Sequence, residues 1–303
     1  MARFYSLFGQ SLFIYTAAGK VHTMEHVNCA ICDGNRLRPV FTKASRDGEL
    51  FSLVACARCG LQFLTPRPTA DEIARYYDDA YFTKRTERGY DNYFSEATRR
   101  EIVRVIELNL RDLGFFDLEE KLSGDRRVLD IGCAAGYFLS YLAGRGWDAT
   151  GVDISESCVE FARGAGLTVY QDDYLDITFS KQFDIITLWA SLEHLHRPGR
   201  FLAKAREELA DRGRIYISTC RTGGPFMKLS GADWRYYNFP EHLYFFSRSA
   251  LRKILEQNGL RIVRYATYGS GFGRPGSPAR RLADFAAKNL RMGDMMLVAA
   301  EKM

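Results

Sequence analysis

Apolar and polar positions change their period along the chain, and each change marks a different kind of element. Over 96–113, Ile102, Val103, Ile106, Leu110 and Leu113 recur at helical spacing, which predicts one long amphipathic helix. From Arg127 onward, short apolar runs alternate with helical stretches. Strands are predicted at 128–132, 149–154, 167–171, 183–189, 214–219, 260–268 and 295–300. Helices are predicted at 137–145, after Ser155, at 198–209, at 247–258 between a Ser247 cap and a Gly259 stop, and at 279–290. Such alternation predicts an α/β fold, a seven-stranded, mostly parallel sheet with helices on both faces.

Upstream the pattern thins. Residues 24–68 offer few core candidates, among them Val40, Phe41, Phe51, Leu53, Val54, Leu61 and Phe63. So small an apolar set does not close a core without a staple. Thr69-Ala-Asp-Glu72 reads as a capping box that opens a short helix carrying Ile73, Tyr76 and Tyr77. Residues 1–23 are aromatic-rich and loosely resemble a secretory signal, but Gly9, Gln10, Ser11 and Tyr15 interrupt the apolar run. They are read as a disordered leader before a second start at Met24.

Composition narrows the classes. The 303 residues are 47% hydrophobic and 26% charged with a net charge of +5, ordinary for a globular chain. There is no dense basic run, so nucleic acid is not an implied partner, and no apolar stretch long enough to span a bilayer. Seven cysteines are an odd number, which fits a reducing, cytoplasmic setting better than a disulfide framework. Cys133, Cys158 and Cys220 are isolated and read as inert core residues. The oligomeric state leaves no trace in the sequence.

The other four cysteines supply the missing staple. Cys29-x-x-Cys32 and Cys56-x-x-Cys59, separated by 23 residues, can each chelate from one tight turn. Four thiolates satisfy tetrahedral Zn²⁺ and leave no open position, so the metal is expected to be structural. An iron–sulfur cluster or two redox pairs are the alternatives. His26 is at most a spare ligand.

A second chemical signal lies at the end of the first predicted sheet strand. Asp130-x-Gly132-x-Ala134-x-Gly136 places small residues where a backbone can approach a ligand, and a helix start follows. Asp153, about 20 residues on at the next strand's tip, is placed to hold ribose hydroxyls. The dinucleotide fingerprint fails at Ala134 and Tyr137. Asp130 would repel a pyrophosphate and suits a cationic amino-acid group, which S-adenosylmethionine carries. A glycine turn with no ligand is the alternative.

With these residues in view, the chain over 127–220 resembles the class I S-adenosylmethionine-dependent methyltransferases, whose fold is Rossmann-like. The resemblance rests on Leu129-Asp-Ile-Gly-Cys-Ala-Ala-Gly136, Gly151-Val-Asp-Ile154, Gln171-Asp-Asp-Tyr174 and Phe183-Asp-Ile-Ile-Thr-Leu-Trp-Ala190. Glu193-His194, Pro198 and Pro240-Glu-His-Leu-Tyr-Phe-Phe-Ser247 resemble the branch of ubiquinone-pathway and sugar methyltransferases. Cys56-Ala-Arg-Cys-Gly-Leu-Gln-Phe63 and the following prolines and tyrosines resemble the zinc-ribbon-like module that precedes many small-molecule and glycan methyltransferases.

After the leader at 1–23, the resemblance implies a zinc-binding module at 24–68, a helical connection at 69–95 and a methyltransferase domain at 96–303. It implies that Gly132 and Gly136 line the methionine part of S-adenosylmethionine, that Asp130 reaches its amino group and that Asp153 holds the ribose. Ile154 would pack on the adenine, with Asp173 and Tyr174 in the segment that meets it. Trp189 would approach the sulfonium, or serve as a core aromatic.

Methyl transfer to a hydroxyl also needs a base, and histidine is the usual one at neutral pH. Of five histidines, His194 follows the fourth sheet strand and His242 lies in an aromatic-rich insertion at 221–243. Both are candidates, and both have a plain structural alternative. His196 is expected to face solvent. The expected reaction is O-methylation of a small molecule or glycan precursor. The alternatives are an RNA or protein methyltransferase that uses the zinc module as a clamp, or a non-catalytic cofactor-binding scaffold.

Overall fold

The computed structural model describes residues 5–8, 11–15, 21–77, 82–83, 92–271 and 277–303. Strands β1 (Tyr5–Phe8), β2 (Ser11–Tyr15) and β3 (Val21–Glu25) form an antiparallel run. The second sheet begins with β4 (Leu37–Ala44), β5 (Leu50–Cys56) and β6 (Gln62–Leu64), all antiparallel. β7 (Arg67–Pro68) then returns to β3 through Met24↔Pro68 and Glu25↔Arg67. Residues 5–8, 11–15 and 21–25 thus form strands where the sequence reads as a disordered leader. Their described backbone finds ladder partners in the chain that follows.

The main sheet contains β8 (Arg127–Ile131), β9 (Asp148–Asp153), β10 (Thr168–Gln171), β11 (Phe183–Trp189) and β12 (Leu209–Cys220). A two-residue β13 (Tyr244–Phe245) leaves that sheet, and β14 (Leu260–Tyr268) and β15 (Met295–Lys302) complete it. The order is β10-β9-β8-β11-β12-β15-β14. Only β15 runs against its neighbours. The expected seven-stranded, mostly parallel α/β sheet is therefore present.

The sheet's two faces fill as binary patterning dictates. Val128, Ile185, Tyr216 and Leu297 pack with Ile106, Leu110 and Phe138. The first two of these come from the helix Glu96–Asp112, whose Ser95 cap accepts from Thr98 N at 3.2 Å. On the other face Leu129, Ile131, Ile186 and Leu188 pack with Phe201, Leu202, Leu251 and Ile254. The predicted Ser247 cap forms, accepting from Ala250 N at 3.1 Å. The predicted capping box at Thr69 does not: its side chain caps nothing, and Glu72 turns instead to Arg75.

The zinc-module region is not a separate globule. β13 pairs with β6 through Tyr244↔Phe63 and Phe245↔Gln62, completing a β13-β6-β5-β4 sheet. Its buried Phe51, Leu53 and Phe63 belong to the same core cluster as Leu129 and Phe201. The aromatic insertion provides much of the joint. Phe41 lies edge-on to Tyr237 at 5.0 Å, and Trp234, Tyr237 and Phe239 are buried. Those rings pack the interior.

Candidate active site

The loop between β8 and the helix Tyr137–Ala143 is shaped by its own packing. Gly132 sits at φ +76°, and a Cβ there would lie 2.6 Å from Ser191 Oγ. Gly136 sits at φ +72°, and a Cβ would meet Leu167 Cδ1 at 2.6 Å. A side chain at either position would break the bend. Ala134 also takes positive φ, at 45°. Its N–H donates to Asp153 Oδ2 at 2.7 Å, while Asp153 Oδ1 accepts from Ser155 N at 2.9 Å. Asp153 thus clamps the loop from the adjacent strand. Burial raises its pKa against the lowering effect of those N–H groups.

Asp130 stands one strand away, in register with Gly151 and Thr187. It is buried, and Thr187 Oγ1 donates to its Oδ1 at 2.6 Å. Burial pushes its pKa up to about 7; the Thr187 bond opposes this and the Asp153 charge adds to it. Two carboxylates at neighbouring strand ends, beside a bend with a helix start behind it, fit a ligand with an ammonium and a ribose. Ile154, next to Asp153, is 55% exposed, an unusual place for a large apolar side chain and one that an aromatic base would cover. Asp173 caps a short turn by accepting from Leu175 N at 2.9 Å, and its other oxygen lies 3.7 Å from Arg197.

Two residues of the expected cofactor set pack against core aromatics. Tyr174 is buried, packs on Phe201 and donates its hydroxyl to Glu208 at 2.5 Å. The tight turn that exposes Asp173 rotates Tyr174 into the core. Trp189 is half-buried and lies edge-on to Phe138 at 5.6 Å, beside the cluster on that face of the sheet.

A second polar cluster forms at the same carboxyl edge of the sheet, from three distant segments. The turn Leu192–His194 after β11 brings Glu193 and His194. The end of β12 brings Cys220, and the insertion brings Glu241 and His242. The His194 and His242 rings meet edge-to-face at 4.6 Å. Tyr77, from the segment after the cysteine module, shares a 2.7 Å hydrogen bond with His194 Nδ1 and donates to Glu241 O at 3.4 Å. Leu243 N donates to Glu193 O at 2.8 Å, which pins the insertion to the turn. Glu193, Glu241 and His242 are all buried, while His194 is half-buried.

Sequence reasoning missed Tyr77, Thr187 and the involvement of Cys220, because each acts through a contact distant in sequence. His196 was expected in solvent but ties two segments together. Its Nε2–H donates to Pro68 O at 2.9 Å, and its carbonyl accepts from Arg67 at 3.0 Å. Burial, and then the Arg67 charge, lower its pKa.

The four module cysteines converge. Cys29 and Cys59 Sγ are 3.3 Å apart, Cys32 and Cys56 Sγ 3.5 Å, and all four sulfurs lie within 4.8 Å of one another. Burial raises the Cys56 thiol, but the N–H groups of Cys59 and Arg58 and the other sulfurs bring it down to about 7. A four-sulfur donor set of this size fits a tetrahedral ion. His26 is exposed and stands outside it.

Comparison with known proteins gives the same class. The methyltransferase-domain family model matches residues 66–265, and the chain belongs to that family. The fold and family define an S-adenosylmethionine-dependent methyltransferase. Among its relatives is a ubiquinone biosynthesis O-methyltransferase of Coxiella burnetii, 29% identical over 164 residues, covering 50% of this chain and 70% of the relative. A protein of the same description from Aromatoleum aromaticum is 31% identical over 140 residues, covering 42% and 59%. An S-adenosylmethionine-dependent methyltransferase structure from Archaeoglobus fulgidus aligns with TM-score 0.52 at 21% identity, over 75% of this chain and 99% of that one. Among the described residues no helix is long and apolar enough to cross a membrane.

Proposed function

We propose that this methyltransferase acts on a hydroxyl oxygen of a small molecule or glycan precursor, with His194 as the base and a structural Zn²⁺ on Cys29, Cys32, Cys56 and Cys59. The carrying observation is the Tyr77–His194–His242 cluster at the carboxyl edge of the sheet, the edge at which open α/β sheets bind ligands. The relatives named as O-methyltransferases support oxygen as the acceptor atom.

Bound S-adenosylmethionine supplies an electrophilic methyl group. Asp153 would hold the ribose, Asp130 would face the ammonium, and Ile154 and Asp173 would flank the adenine. Tyr77 shares a 2.7 Å hydrogen bond with His194 Nδ1, which orients the ring. With Nδ1 protonated, the lone pair sits on Nε2, the atom that would take the acceptor's proton. His242, edge-on to His194, limits how that ring can turn. Seven cysteines without a paired disulfide framework favour a reducing compartment, and we read the protein as cytoplasmic.

The test follows labelled methyl transfer into a panel of hydroxylated metabolites. His194→Ala should lower turnover by about 10²- to 10⁴-fold with cofactor affinity unchanged by calorimetry. Unaltered turnover removes His194 as the base. Label that enters only RNA or protein replaces the small-molecule reading.

A further inference from the structure

We propose that Glu193, Cys220 and His242 hold a second metal ion, a borderline divalent cation of the zinc class, separate from the four-cysteine site. One carboxylate oxygen, one sulfur and one imidazole nitrogen of these residues lie within 4.8 Å of one another. Cys220 Sγ is 4.0 Å from His242 Nδ1. Around tetrahedral zinc, with bonds of about 2.3 Å to sulfur and 2.0 Å to nitrogen, those atoms stand about 3.5 Å apart. The observed spacing is a small contraction away from that value.

Three further observations favour a metal over ordinary packing. First, the cluster mixes sulfur, imidazole and carboxylate, the donors that zinc-class ions take together. Second, exposures of 1% for Glu193, 0% for Cys220 and 6% for His242 make isolated charge there costly. A dication with one carboxylate, one thiolate and one neutral imidazole sums to zero charge, so the filled site buries no net charge. Third, the donors stand on fixed backbone. Cys220 ends β12 and is in register with Met295 on β15. Glu193 is held by the Leu243 N–H at 2.8 Å, and His242 N donates to Asn238 O at 2.9 Å. Rigid supports of this kind let a site pre-exist its ion.

Three protein donors leave one tetrahedral position open, as in sites that bind a water or substrate oxygen and unlike the closed four-cysteine set. The His194 ring stands beside the cluster, 4.6 Å from that of His242. Occupation of the open position by an acceptor hydroxyl rests on the methyl-transfer reading above; the metal itself does not.

The experiment measures metal per chain on the full-length protein, as purified and after titration with Zn²⁺ alone against a chromophoric chelator. Wild type should reach two equivalents. Cys56→Ser should remove one of them. Cys220→Ser and the near-isosteric Glu193→Gln should each weaken the other by at least about tenfold, with circular dichroism showing an intact fold. A chain that saturates at one equivalent, lost wholly in Cys56→Ser, overturns the proposal. So does a second equivalent that neither Cys220→Ser nor Glu193→Gln weakens. Because the readout is stoichiometry, a failed methyl-transfer assay leaves this result standing, and the reverse also holds.

Discussion

Asp130 shows how one buried carboxylate ties stability to pH. Its pKa rises from 3.8 to about 7 in the folded chain, so between those values the native state binds more protons than the unfolded state. Its stability contribution is therefore fully present in acid and fades as pH climbs through about 7. Asp130→Asn cancels that slope. Denaturant melts should show the variant gaining on wild type as pH rises, and a constant difference would remove the assigned shift. Cofactor affinity should move the opposite way in wild type, strengthening as Asp130 ionises, and stay level in Asp130→Asn by calorimetry. Asp153→Ala should lose at least tenfold in cofactor affinity, about 1.4 kcal/mol. It should also destabilise the chain by about 1–3 kcal/mol, since the N–H groups of Ala134 and Ser155 lose their acceptor. Unchanged affinity would mean that the ribose lies elsewhere. Both acids were legible in sequence because strand, bend and helix start are local signals. Tyr174 was misread because proximity to Asp173 in the chain says nothing of which way a side chain leaves a tight turn.

At the scale of elements, the parallel strands announced themselves as apolar runs, since a strand buried on both faces has no polar side to show. The two-residue strand Tyr244–Phe245 did not, because its partner β6 lies about 180 residues earlier and nothing local encodes so distant a pairing. Phe245 is fully buried between Tyr237, at 5.0 Å, and Phe239, at 5.7 Å. Phe245→Ala should cost about 3–5 kcal/mol, read from urea melts. A loss below 1 kcal/mol would mean that the joint bears little of the stability. The insertion at 221–243 was legible as aromatic and illegible as a seam, for composition is the same whether rings pack inward or face a ligand.

For the molecule as a whole, one core cluster runs from Met24 and Cys29 in the cysteine module to Ile186 and Leu251 around the main sheet. A metal held by Cys29, Cys32, Cys56 and Cys59 therefore steadies more than its own loops. Removing it with a strong chelator should lower the melting temperature of the entire chain in a single transition, followed by near-ultraviolet dichroism. Two resolved transitions, with the sheet's unmoved, would show that the module unfolds alone. The two halves were legible in the sequence as separate chemistries, thiolate knuckles and a nucleoside loop. Their union was not, because it is made by Arg67, His196 and β13, each of which bonds to a segment on the other side of the joint.

That shared border carries a consequence for anyone recombining such proteins. A chimera that borrows residues 24–68 while leaving Tyr244–Phe245 behind inherits β6 with an open flank, a row of amides looking for another chain. Such grafts should clump unless the short donor strand travels with them, so the natural unit of exchange here is discontinuous.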